Sequence, residues 1–171
     1  MQLHAAMVLA LAGASLAGCF VSKSPLVEDD KAAFPYDKIV YAEQGSNDTT
    51  TLTRQGSAYL LQPKSADSDG HIRFLKVGDD LYVAQLDFVE NDQVHYLYGF
   101  LKVDLPGKTV ASYKSMAGGA DATPGPGLSH CDEQDLEQVC IEALDAYVDY
   151  ARKAIDGGAK PDTVYRIVSV E

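Results

Sequence analysis

Thiols, imidazoles and phenols are the side chains here with chemistry to offer. Their spacing limits what that chemistry can be. The chain has three cysteines, Cys19, Cys131 and Cys140, four histidines and ten tyrosines. It contains no nucleophile elbow, phosphate-binding loop, zinc-protease helix motif or dinucleotide fingerprint. No residue is assigned a catalytic role. His71 opens an expected strand and His95 sits inside one, and neither has an identifiable acid–base partner, so both read as packed or surface histidines. His130 and Cys131 with Cys140 offer imidazole and thiolate to a soft metal. Only three ligands are visible and their spacing fits no zinc pattern, so no metal or cofactor is assigned. Asp67-Ser68-Asp69-Gly70 has a calcium-loop flavour, but Gly78 occupies the twelfth position, where a bidentate Glu is needed. It reads as a solvated turn.

Cys131 and Cys140 pair more simply with each other. Nine residues apart on one continuous helix they would stand about 13 Å apart, whereas a disulfide needs Cα atoms within about 7 Å. A Cys131–Cys140 bond therefore requires a break in any helix between them.

Cys19 has a different setting. The first eighteen residues contain no Lys, Arg, Asp or Glu, and Ala5 to Ala17 is an apolar run of thirteen. That is short of the roughly 20 residues a membrane-spanning helix needs, and it fits the core of a secretory signal. Leu16-Ala17-Gly18-Cys19 follows directly. This tetrapeptide resembles the lipobox of bacterial lipoproteins. The resemblance implies cleavage before Cys19, a diacylglyceryl group on its sulfur and an acylated new amino terminus. The acyl chains would hold the protein to a membrane surface without spanning it, since each buried methylene contributes about 0.8 kcal/mol. Phe20, where a retained inner-membrane lipoprotein of enteric bacteria carries Asp, tilts the expected address toward the outer membrane.

The formal net charge of −11 lies on the remainder of the chain. An acidic surface attracts neither nucleic acid nor anionic headgroups. Asp132 to Asp149 holds seven carboxylates and no base. It reads as a solvated helix face, with docking of a basic partner as the sharper alternative.

The elements follow from periodicity. Residues 19–33 are polar and mixed, as in a flexible tether reaching about 20 Å. From Tyr36 the period becomes two. Strands are expected around Tyr36–Glu43, Thr49–Arg54, Ser57–Gln62, His71–Val77, Leu81–Val89, Val94–Val103, Lys108–Lys114 and Thr163–Val170. Leu81–Val89 and Val94–Val103 are apolar on both faces, so they should be central and covered on both sides. Gly99 within the second marks a bulge or a close neighbour. Leu136, Cys140, Leu144, Tyr147, Ala151 and Ile155 form one apolar stripe at helical spacing, ended by Gly157-Gly158.

The expected class is α+β: an antiparallel meander of seven or eight strands, curved or open-barrel-like, with one long or broken C-terminal helix packed on it. The expected organisation is a signal peptide over 1–18, a lipidated Cys19 and tether over 19–33, and one globular domain over 34–171. The functional expectation is a non-enzymatic, membrane-anchored lipoprotein of the bacterial cell envelope that binds or scaffolds an envelope protein. The alternative is a carrier of a small hydrophobic ligand, with Tyr82, Tyr96 and Tyr98 on neighbouring strands facing a pocket.

Overall fold

The computed structural model describes residues 20–61, 70–90, 93–114, 125–131 and 138–171. Within them the strands are β1 (Phe20–Ser22), β2 (Lys38–Glu43), β3 (Thr49–Gln55), β4 (Ala58–Leu61), β5 (Gly70–Lys76), β6 (Leu81–Glu90), β7 (Gln93–Asp104), β8 (Thr109–Tyr113), β9 (Leu128–His130), β10 (Val139–Ile141) and β11 (Thr163–Val170). The helix α1 (Leu144–Asp156) lies between β10 and β11. Strands β2 to β8 run as an antiparallel meander. β11 then inserts between β8 and β2, and β6 pairs with β7 to complete the circle. The sheet is thus a closed eight-stranded barrel, where a curved sheet or an open barrel was expected. Closure removes the unpaired edges that β2 and β8 would otherwise present.

The alternation within each strand separates two cores. Ile39, Leu52, Tyr59, Phe74, Tyr82, Val103 and Ile167 point inward and fill the barrel. The opposite face of the β5–β8 wall carries Val83, Tyr98, Phe100 and Tyr113, and α1 covers it with Tyr147, Val148 and Ala151. This double covering is why β6 and β7 are apolar on both faces. On the far side, β3 reads Thr49-Thr50-Thr51-Leu52-Thr53, with Leu52 buried and Thr51 and Thr53 exposed, a one-sided strand.

One mouth of the barrel is closed by the chain itself. Phe34 enters it and packs at 4.9 Å from the rings of both Phe74 and Tyr82. The Arg54 guanidinium donates to the carbonyls of Phe34 and Tyr36 and to the Tyr59 hydroxyl at 2.7 Å. Towards the other mouth, Tyr41 and Tyr165 meet edge to face at 5.2 Å.

Burial pushes the Tyr41 phenol up from 10.0 to about 12, and burial raises Tyr59, Tyr82, Tyr98 and Tyr165 in the same direction. A phenol whose pKa is higher in the fold than in the unfolded chain gives stability that is complete below the unfolded value. That stability is lost as pH rises through the folded value. The protein is expected to lose stability between about pH 10 and pH 12, with phenolate absorbance appearing together with loss of the β-sheet dichroism. Tyrosine titration that runs to completion well before unfolding would contradict it.

Three expectations change. The C-terminal helix is shorter than its stripe. Cys140 belongs to strand β10, because Val139-Cys140-Ile141 pairs with both β1 and β9, and α1 begins only at Leu144. Leu136 and the acidic cluster at 132–137 lie outside the described residues. Gly99 marks no bulge, since the β6–β7 register is continuous through Ala84↔Gly99. It sits where the neighbour of β7 changes from β8 (Phe100↔Tyr113) to β1 (Tyr98↔Phe20). A Cβ there would stand 3.6 Å from the Tyr113 carbonyl. The third change concerns residues 20–33, which do not form a tether.

Candidate functional site

The segment expected to hang free is docked on the barrel wall. β1 adds to β7 in antiparallel register and to β10 in parallel register. Phe20 is 2% exposed and Val27 1% exposed. The Phe20 ring lies 4.9 Å from Tyr147 and 5.6 Å from Tyr150 of α1. Its composition is polar enough to read as a linker, but two or three apolar residues suffice to hold it once a wall exists to receive them.

Polar contacts fix the register of that docking. Arg73, Gln85, Tyr98, Phe20, Val139 and His130 form one continuous rung across β5, β6, β7, β1, β10 and β9. Gln85, 0% exposed, is its centre. Its Oε1 accepts from the backbone N–H groups of Leu26 at 2.9 Å and Val27 at 2.8 Å, and from the Tyr98 hydroxyl at 3.0 Å. Its Nε2 donates to Asp87 Oδ1 at 2.8 Å. Asp87 pairs with Arg73, and Arg73 Nε reaches Asp29 at 2.7 Å on the docked segment. Ser57 also donates to Asp29. The Arg73 and Ser57 hydrogen bonds hold the Asp29 carboxyl below the ordinary carboxylate range. The Tyr98 hydroxyl also lies 2.8 Å from Ser22 Oγ. Buried polar groups of this kind are costly unless satisfied, so the network specifies one seat for the segment.

Beside β1 lies a groove of about 250 Å³ lined by Ser22, Ser24, His130, Cys131, Cys140 and Glu142, among others. The sulfurs of Cys131 and Cys140 are at bonding distance, with Cα atoms 4.9 Å apart across the β9–β10 hairpin. The break required between them is therefore a change of strand. Closing a loop of about ten residues contributes roughly 2–3 kcal/mol through the unfolded chain. Reduction is expected to lower the melting temperature by roughly 5–10 °C, read by calorimetry with and without a phosphine reductant. An unchanged melting point would show that the hairpin gains nothing from the bond.

The other singled-out residues are dispersed. Tyr82 points into the barrel, whereas Tyr96 and Tyr98 lie on the outer face beneath the docked segment and helix. The cross-strand partners are Tyr82↔Leu101 and Asp87↔Tyr96. Tyr82 and Tyr96 thus do not face one another, and the three tyrosines do not line one pocket. The correction comes from register, since a period of two puts Tyr82 and Val83 on opposite sides. His71 and His95 lie on β5 and β7, apart from the groove. Among the described residues no group of three or more His, Cys, Asp or Glu is placed to hold a metal. Cys19 and the turn 67–69 lie outside the described residues, while Gly70 opens β5. Sequence reasoning missed Gln85, Arg73 and Asp29. A buried amide inside an otherwise apolar strand was the available signal.

No protein-family model, curated protein or solved structure matches this chain.

Proposed function

We propose that the protein is a lipid-anchored lipoprotein of the bacterial cell envelope, outer membrane rather than inner, that works by binding or scaffolding an envelope protein and not by catalysis. The observation that carries this reading is the Leu16-Ala17-Gly18-Cys19 sequence placed one residue ahead of a strand built into the barrel wall. A filled barrel fits a binding or scaffolding role. Phe34, Tyr59, Phe74 and Tyr82 occupy the interior and Arg54 holds the Phe34 segment in place. The exposed candidates for contact are the groove beside the Cys131–Cys140 pair and the end of the β6–β7 hairpin, where Val89 and Val94 are 50% and 52% exposed.

The test is an intact mass of the protein from its native membrane, with and without reductant. The expected mass is Cys19–Glu171 plus acyl groups, rising by two hydrogens on reduction. An unlipidated mass would sink the anchor. A lipidated mass unchanged by reductant would keep the anchor and remove the disulfide. The second reading, a carrier of a small hydrophobic ligand, draws on the aromatic lining of the barrel. It requires Phe34 to leave its mouth, and Tyr82 alone of the three tyrosines would then meet the ligand.

A further inference from the structure

We propose that the β1 side of the barrel is seated directly on the bilayer, with no spacer between the acyl chains and the fold; the inference rests on Cys19 being the lipidated residue. A tether over 19–33 would let the domain move about 20 Å from the surface in any orientation. The docked segment removes that freedom. Phe20 is buried against α1 and paired along both strand edges, to Tyr98 on β7 and to Val139 on β10. The preceding Cα can be only 3.8 Å away. The acyl chains must therefore leave the protein within one residue of a fixed point on its wall. Releasing more chain would mean withdrawing Phe20, Val27 and the Gln85 hydrogen bonds together.

That point has a definite place in the barrel. It lies beside Gly99, whose Cβ position is 3.8 Å from Lys114 Cγ, and beside Tyr150, one helical turn before Lys153. In the circular strand order β3 is four strands from β7 in either direction. The outward Thr51 and Thr53 of β3 are exposed and stand diametrically across the barrel from the anchor. The occupant of the β1 side is thus the bilayer bearing the anchor, and the β3 side is displayed to the aqueous compartment and to partners. Lys114 lies beside Gly99 next to the attachment point, and Lys153 follows Tyr150 by one turn of α1, a placement that suits approach to lipid phosphates.

The test uses the full lipidated protein in phosphatidylcholine vesicles carrying a headgroup spin label. A fluorophore is placed on a single new thiol by Lys114→Cys, Lys153→Cys or Thr51→Cys. Quenching is expected at 114 and 153 and not at 51. Inserting a flexible Gly-Ser linker of about fifteen residues between Cys19 and Phe20 is expected to abolish the difference. Equal quenching at all three positions, in a protein whose mass carries the acyl groups, would overturn the fixed seat while leaving the anchor intact. A protein without acyl groups would instead defeat the lipoprotein reading on which the seat depends.

Discussion

Replacing Gln85 by Leu is expected to lower the unfolding free energy by about 1–3 kcal/mol and to loosen the amino-terminal segment on the barrel. Gln85 is fully buried, and one oxygen accepts three hydrogen bonds from Leu26, Val27 and Tyr98. Leucine nearly matches its volume and can accept none of them. Each buried donor left without a partner costs about 1–3 kcal/mol. If the segment stayed docked, the Leu26 N–H would keep the Tyr98 hydroxyl at 3.0 Å and that hydroxyl would keep Ser22 Oγ at 2.8 Å, which leaves the Val27 N–H as the donor without a partner. The segment has an escape, because peeling away lets water satisfy Leu26 and Val27 at the cost of exposing the Phe20 and Val27 side chains, each roughly 2 kcal/mol. The docked form stays the cheaper, but the gap narrows by what the Val27 donor loses. Hydrogen exchange should therefore show the Leu26 and Val27 amides losing protection while β3 and β4 keep theirs. Gln85→Glu separates shape from chemistry. It keeps the acceptors but sets a carboxylate where Nε2 now meets Asp87 at 2.8 Å. Two like charges at that distance raise the pKa of the pair, so this variant should be least stable near neutrality and recover as pH falls. Full stability of the Leu variant would mean that the docking is apolar alone.

Phe100→Ala is expected to cost about 3–5 kcal/mol, the range for emptying a fully buried aromatic site. Phe100 is 0% exposed and its ring centre lies 5.7 Å from that of Tyr147. Phe100 joins the barrel wall to α1, in a cluster with Phe20, Val83, Tyr98 and Tyr113. The site cannot collapse freely, because its floor is a hydrogen-bonded sheet and its roof a helix held by Arg152 on the Val77 carbonyl. Phe100→Leu keeps most of the volume and should cost under about 1.5 kcal/mol. Val89→Ala at the exposed hairpin end should stay within about 0.5 kcal/mol. Chemical denaturation of the three variants checks the ordering. A small loss at Phe100 would mean that α1 is held by contacts elsewhere.

The structure explains how much of this could be read in advance. Strands with one buried face announced themselves through alternation, as in Thr51-Leu52-Thr53. The β6–β7 pair declared itself central by being apolar on both sides. The Cys131–Cys140 pairing was suggested by the two cysteines left once Cys19 is set apart, and the distance argument added only that a break must lie between them. The stripe from Leu136 to Ile155 overran the helix because a short apolar run such as Val139-Cys140-Ile141 satisfies helical spacing and strand propensity alike. Its partners, β1 and β9, lie far off or behind a turn, and no local pattern names them.

Local chemistry alone determined the Leu16-Ala17-Gly18-Cys19 sequence, the succession of the meander strands, the helix near the C-terminus and the acidic character of the chain. Those depend on periodicity, turn residues and charge, which neighbours along the chain set. Tertiary structure decided the closure of the barrel, the opposite faces of Tyr82 and Tyr96, and the docking of residues 20–33. Closure requires β11 to find β2 and β8 at a register that no segment encodes by itself. Docking depends on Gln85, Arg73 and Tyr98, which β5, β6 and β7 bring onto one rung. A polar segment such as Ser22 to Lys31 is free or held according to whether such a wall exists to satisfy its backbone, and that wall is made only when distant strands meet.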